Sequence, residues 1–229
     1  MPFRGADDFS TWLAYRRLDA ARGLRSRLYR VTHGRRRFTF AGKQHRYFFH
    51  PYNWAFQNER SVEVPIVSSV LVGRPRARTL ELGNVLAHYG HSGHFVVDKY
   101  EIAHNVINED IVDFAPQEKF DLVVSISTIE HVGWDEEPRD AGKAEVACER
   151  LVSLLRPGGE LRITWPLGAN PGLDRALRAG TLPFQSVGFM RRETEDNRWR
   201  ESTLEELEGV EYGSPFQWGN AIAVATHHA

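Results

Sequence analysis

The octet Phe120–Ser127 (FDLVVSIS) constrains this chain more than any other stretch. A strand with one wet face alternates apolar and polar residues. A nearly continuous β-rich run reads instead as a strand buried on both faces, the kind found inside parallel sheets whose crossovers cover both sides. Similar short runs lie around it at Thr79–Leu82, His94–Asp98 (HFVVD), within Asn105–Ile111, at Glu160–Trp165 (ELRITW), around Gln185–Arg191 and at Asn220–Thr226 (NAIAVAT). Helical signals fall between them. Ala144–Leu155 has helical spacing at Val146, Ala147, Leu151, Leu154 and Leu155, and Arg156-Pro157-Gly158-Gly159 stops it. Pro171–Gly180 has proline near its start and glycine at its end. Ser202-Thr203-Leu204-Glu205 reads as a capping box opening a short helix. The alternation predicts an α/β fold, a mainly parallel sheet with helices on both faces.

The N-terminal part differs. Residues 1–46 carry twelve Lys or Arg against three acids, a net +9; the whole chain is −1, which leaves −10 for the rest. Residues 8–31 read as a helix whose apolar stripe is Leu13, Ala20, Leu24, Leu28 and Val31. Its arginines fit either a solvated face on a docked helix or a basic arm for nucleic acid or another anionic surface. The run Arg35-Arg36-Arg37 beside Phe38, Phe40, Tyr47 and Phe49 leans toward a ligand role. Residues 1–50 are therefore read as a basic helical extension and 51–229 as the main domain. Cys148, the single cysteine, excludes an internal disulfide and a cysteine zinc cluster. No apolar run is long enough to span a membrane, and a soluble, cytoplasmic protein is expected. His227 and His228 read as a frayed end. Oligomeric state is not legible.

Ligands of open α/β sheets lie beyond the carboxyl ends of the strands. There the sequence offers Glu81, Gly83 and Asn84, then Asp98 with Lys99, then Asp110 with Ile111, then Ser125 and the segment Ser127-Thr128-Ile129-Glu130-His131. A carboxylate at the end of the second strand can accept both hydroxyls of a ribose. Another near the third can accept an adenine amine, with the Ile111 amide facing a ring nitrogen. No phosphate-binding lysine follows the first strand, so a nucleoside fits better than a triphosphate.

In order, E-L-G, V-V-D, E-D-I, F-D-L-V-V-S-I-S-T-I-E-H-V and L-R-P-G-G-E-L resemble the class I S-adenosylmethionine-dependent methyltransferases over roughly residues 52–229. The resemblance implies a Rossmann-like, seven-stranded sheet with a terminal antiparallel strand, and S-adenosyl-L-methionine as cofactor. It places Glu81 and Gly83 by the methionine moiety, Asp98 on the ribose, Asp110 and Ile111 around adenine, and Ser125 under the cofactor. The departure is the first loop. The family's E-x-G-x-G-x-G falls on Glu81, Gly83, Val85 and Ala87, so one glycine remains. Either the loop takes another path, with Asn84 hydrogen bonding, or cofactor binding is lost.

On the acceptor side, His131 is the candidate base, since imidazole ordinarily titrates near neutrality; it reads equally as a helix-start residue that packs or caps. Glu130 is the candidate partner that orients it or binds a cation. Some related metal-dependent methyltransferases have E-x-x-E-H here, whereas this chain has Ser127-x-x-Glu130-His131, so no metal is expected there. His88, His91 and His94 have ligand-like spacing but no carboxylate partner in the pattern. Tyr52, Trp54 and Phe56 are candidates for a lid, and Trp165 for a pocket wall. Arg60 is expected to pair with the cofactor carboxylate or with Glu63. The favoured expectation is O-methylation of a small-molecule or carbohydrate acceptor. The alternatives are a nucleic-acid methyltransferase and an inactive cofactor-binding module.

Overall fold

The computed structural model describes residues 21–229. Helix α1, of which residues 21–33 are described, leads to a hairpin of β1 (Arg37–Phe40) and β2 (Lys43–Arg46). Then follow α2 (Arg60–Leu71), β3 (Thr79–Leu82), β4 (Phe95–Val97), β5 (Val106–Ile107), β6 (Phe120–Ile126), α3 (Lys143–Ser153), β7 (Leu155–Pro166), α4 (Pro171–Ala179), β8 (Ser186–Arg192), β9 (Trp199–Ser202) and β10 (Ala221–His228). The main sheet runs β5-β4-β3-β6-β7-β10-β8-β9. The first five strands are parallel, and β10 inserts antiparallel between β7 and β8. The expected seven strands and terminal antiparallel strand are present, and β9 adds an eighth by pairing antiparallel with β8.

Strand β6 shows why the sheet forms. Side chains alternate across a strand, and β6 is apolar on both sides. Leu122, Val124 and Ile126 pack with Val64 and Val67 of α2, while Val123 packs on the opposite face with Leu151 of α3 and Leu173 of α4. Leu122 and Val123 are fully buried; truncating Leu122 to Ala would cost about 2–5 kcal/mol. Helix α4 follows its sequence signals. The Asn170 side chain accepts from the amides of Gly172 and Leu173 at 2.9 and 3.1 Å, and Gly180 closes the helix in the left-handed region. In α2, Pro65 has no amide to give the carbonyl four residues back. That carbonyl, on Ser61, instead accepts from Phe48 at 2.9 Å and ties the segment after the hairpin to the helix.

Several expectations need correction. The connections β3–β4, β4–β5 and β5–β6 contain turns and one short 3-10 segment, Ala87–Tyr89, but no α-helix. The region before residue 50 is not wholly helical, because Ala41 and Gly42, both at positive φ, turn the hairpin. Its Phe38 and Phe40, with Tyr47 and Phe49, are not ligand platforms. They are buried against Ile66, Met190, Trp199 and Ile222. The stripe of α1 does not dock: Leu24, Leu28 and Val31 are 70, 62 and 83% exposed, and Leu13 and Ala20 lie outside the described residues. Tyr29 makes the contact instead, with its ring near Phe49 and Phe56 and its hydroxyl donating to the Asp196 carbonyl at 2.9 Å. The capping box gives only a 3-10 turn, Glu205–Leu207. The reason is that Ser202 ends β9 and its hydroxyl donates to Glu206. His227 and His228 are not frayed, since they pair with Leu161 and Glu160 in the sheet. Among the described residues, no helix is long and apolar enough to cross a membrane.

Candidate active site

The chain runs from β3 outward to β5 and returns to β6 on the other side of β3. This reversal opens a crevice at the carboxyl ends of the strands. A cavity of about 460 Å³ lies there, walled by Gly83 and Asn84 after β3, Asp98 after β4, Ile111, and Ser127 and His131 after β6.

The glycine-poor loop is held by Glu81. Its side chain is fully buried and does not line the cavity. Oε1 accepts from the amides of Val85 and Leu86 at 3.1 and 2.8 Å, and Oε2 lies 2.7 Å from Nε2 of His94. Gly83 has φ of 84°, and a Cβ there would lie 2.2 Å from Oγ1 of Thr128. Asn84 donates to Oε1 of Glu101 at 2.6 Å, and His88 reaches the same oxygen at 3.2 Å while stacking on Tyr52. The loop after β3 is thus fastened to the loop after β4. The three histidines do not converge, and no group of three His, Cys, Asp or Glu among the described residues is arranged to hold a metal ion.

Asp98 turns one oxygen inward. Its Oδ1 accepts from the amides of Tyr100 and Glu101 at 2.9 and 2.8 Å, which leaves Oδ2 for a ligand in the cavity. Lys99 and Asp110 also line the cavity, within a charge cluster that sequence reasoning missed. Lys99 lies 2.9 Å from Asp110 and 2.7 Å from Glu136, and Lys143 lies 2.5 and 2.6 Å from the same two carboxylates. Burial pushes the Asp110 carboxyl up, but Lys143 and Lys99 outweigh it and hold the group below its ordinary value. Oδ2 of Asp110, expected to face an adenine amine, is therefore already shared by two ammonium groups, and Oδ1 is 3.3 Å from the Val112 amide.

At the end of β6, Arg60 donates to the carbonyls of Ile126 and Ser127 at 2.8 and 3.2 Å and lies 3.8 Å from Glu63. The expected pairing with Glu63 is present. Ser127, at φ of 39°, donates to Glu63 at 2.7 Å. Burial pushes the Glu63 carboxyl up to about 7, against the opposing pull of Arg60 and Ser127. His131 is 59% exposed, and its Nδ1 lies 2.6 Å from Oδ2 of Asp135. A carboxylate only accepts, so Nδ1 is the donor, and in the neutral imidazole Nε2 is left as acceptor. Glu130 is 3.7 Å from Nε2, so Asp135, four residues on, orients the ring rather than Glu130. That spacing on one turn was the available signal. A second cavity of about 330 Å³, walled by Glu130, Trp134, Asp135 and Tyr212, meets the first at His131.

Three expected site residues lie elsewhere. Ser125 is fully buried and donates to the Leu82 carbonyl at 3.0 Å, and Ser127 rather than Ser125 lines the cavity. Trp165 is fully buried, packed in the core near Phe184, because β7 extends past it to Pro166. Trp54 packs beside Phe56 and Trp218 and leaves Tyr52 and Asn53 on the wall.

No family model and no curated protein matches the sequence. Solved structures of S-adenosylmethionine-dependent methyltransferases do match. One from Archaeoglobus fulgidus is 14% identical, over 76% of this chain and 96% of its own, with a TM-score of 0.47. The 1,6-didemethyltoxoflavin-N1-methyltransferase of Burkholderia thailandensis, with 1,6-didemethyltoxoflavin and S-adenosylhomocysteine bound, is 14% identical over 83 and 97%, with a TM-score of 0.43. The N-methyltransferase NodS of Bradyrhizobium japonicum WM9, in complex with S-adenosylhomocysteine, is 15% identical over 66 and 78%, with a TM-score of 0.40.

Proposed function

We propose that residues 51–229 form an S-adenosylmethionine-dependent methyltransferase that methylates a hydroxyl of a small-molecule or carbohydrate acceptor. The observation that carries the reading is Asp98. Its carboxylate stands at the carboxyl end of the strand beside the switch point, fixed through Oδ1 and open through Oδ2. The donor set fits the cofactor. Asp98 suits a ribose diol, Leu82, Ile111 and Val132 give apolar walls for a base, and Gly83 lets the backbone approach closely. The ordered sequence motifs, from E-L-G to L-R-P-G-G, support the same family.

When bound, S-adenosylmethionine supplies an electrophilic methyl group on a sulfonium. The chain's part is positioning and proton transfer. Asp135 fixes the His131 tautomer, and Nε2 accepts the proton of an acceptor hydroxyl, which leaves that oxygen the electron pair for attack. Arg60 and the Glu63–Ser127 pair hold the end of β6 in place beneath this point. The test is incubation with methyl-labelled S-adenosylmethionine and a panel of hydroxylated small molecules and sugars, followed by mass spectrometry. An O-methyl product supports the proposal. Label found only on nitrogen or carbon overturns the O-methyl assignment, and no transfer to any acceptor overturns the enzyme.

A further inference from the structure

We propose that the second cavity binds a protonated amine of the acceptor, with Glu130 as its counter-charge; the inference rests on the reading of His131 as the site of hydroxyl deprotonation. The substrate class is then a hydroxy compound that also carries an amine, such as an amino sugar or a phenolic alkylamine.

The placement of Glu130 carries the argument. Its backbone is fixed, because Asn170, which also caps α4, donates to the Glu130 carbonyl at 2.9 Å. Its side chain is buried yet forms part of the cavity wall. Its Oε2 has no hydrogen-bond partner among the described residues. A buried carboxyl oxygen left unpaired is costly, so a donor that reaches the Glu130 carboxyl through this wall satisfies an unmet hydrogen bond.

The sign of charge is set by the surroundings. The wall carries Glu130, Asp135 and His131, and among the described residues no lysine or arginine lines it. Behind it stand Glu59 and Glu63, which act on both Glu130 and Tyr212. Glu59 is itself buried, with Oε2 accepting from the Gly219 amide at 2.9 Å. The cations that act on this acidic group are committed elsewhere: Arg60 donates to the carbonyls of Ile126 and Ser127, and Arg192, which faces Glu59, donates to the carbonyls of Thr194, Glu195 and Gln217. Arg139 is likewise engaged, lying 4.1 Å over the Trp134 ring and donating to the Trp134 carbonyl at 2.7 Å. Burial first, and then Glu63, raises the Glu130 carboxyl well above its ordinary value. An ammonium beside it restores the ionised form and gains a charge-assisted hydrogen bond that a neutral group lacks. Tyr212 adds an aromatic wall suited to a cation.

Tyramine and its neutral isostere 4-propylphenol are suitable probes, since both carry the hydroxyl and differ in charge. Each is titrated near neutral pH by calorimetry or NMR into the full chain, alone and saturated with S-adenosylhomocysteine. The expected result is tyramine binding at least about tenfold tighter than 4-propylphenol, with the preference lost in Glu130→Gln and the cofactor affinity of that variant unchanged within about twofold. Equal binding of the two probes, no binding of either, or a preference that survives Glu130→Gln overturns the proposal. The wild-type comparison decides even where the variant folds poorly. Failure of S-adenosylhomocysteine to bind, with the tyramine preference intact, would instead remove the methyltransferase reading and leave the amine site standing.

Discussion

Oε2 of Glu81 lies 2.7 Å from Nε2 of His94, while its other oxygen accepts the amides of Val85 and Leu86. A carboxylate thereby organises the loop in which glycines were expected. Removing its charge should loosen the loop. Glu81→Gln is expected to lower unfolding free energy by about 1.5–3 kcal/mol in urea titrations, the range for a hydrogen bond to a charged group. S-adenosylhomocysteine binding should weaken in parallel. A variant as stable as the wild type would show that the loop is held by other contacts.

Gly83 is the one glycine the loop keeps, and two independent reasons require it. Its φ is 84°, and an added Cβ would press into the Thr128 side chain. Gly83→Ala should therefore cost about 1–3 kcal/mol from backbone strain alone, and more if Thr128 cannot move. Thr128→Ser alongside Gly83→Ala should recover part of the loss in thermal unfolding, because the Cγ2 methyl contributes to the clash.

His131 and Asp135 are expected to act on rate rather than on cofactor affinity. His131→Ala should lower kcat about 10²–10⁴-fold. Asp135→Asn should lower it less, since the imidazole remains but its tautomer is no longer fixed by a carboxylate. Both are read from transfer of labelled methyl to a hydroxylated acceptor, with S-adenosylhomocysteine affinity as the control. A drop in affinity without a drop in kcat would place His131 in cofactor binding instead.

Glu63 gives a pH signature. Its folded carboxyl is raised from 4.5 to about 7 by burial. A raised carboxyl means the folded state holds the proton more tightly than the unfolded chain, so its contribution is greatest below pH 4.5 and is lost as pH rises toward 7. Glu63→Gln should remove this dependence. The stability of the variant minus that of the wild type should rise with pH across that window. A pH-independent difference would show that folding does not raise the Glu63 carboxyl.

Local signals were the legible ones. Asn170-Pro171 and Gly180 mark both ends of α4 because capping depends on neighbours in sequence. The strand core was legible in Phe120–Ile126, and Asp98 was legible from its place after a strand. What failed depended on partners far along the chain. Leu24, Leu28 and Val31 have helical spacing, but the face that docks is chosen by Phe49, Phe56 and Asp196, which meet Tyr29. The hairpin is hidden because its turn residues, Ala41 and Gly42, lack the Asn-Gly or Asp-Gly signal and β1 is only four residues long. Trp165 reads as a wall because the β-rich run ends there in the sequence, whereas β7 continues to Pro166. The lysines shared by Asp110 and Glu136 come together only through the folding of α3 onto the strand ends.

The central claim is that this cavity binds the methyl donor, with Asp98 on its ribose. Calorimetric titration of the full chain with S-adenosylhomocysteine tests it most directly, with Asp98→Ala alongside. The expected result is saturable one-to-one binding, weakened at least about tenfold in the variant through loss of a charge-assisted hydrogen bond. Absence of heat at millimolar ligand, or equal affinity in Asp98→Ala, would contradict it.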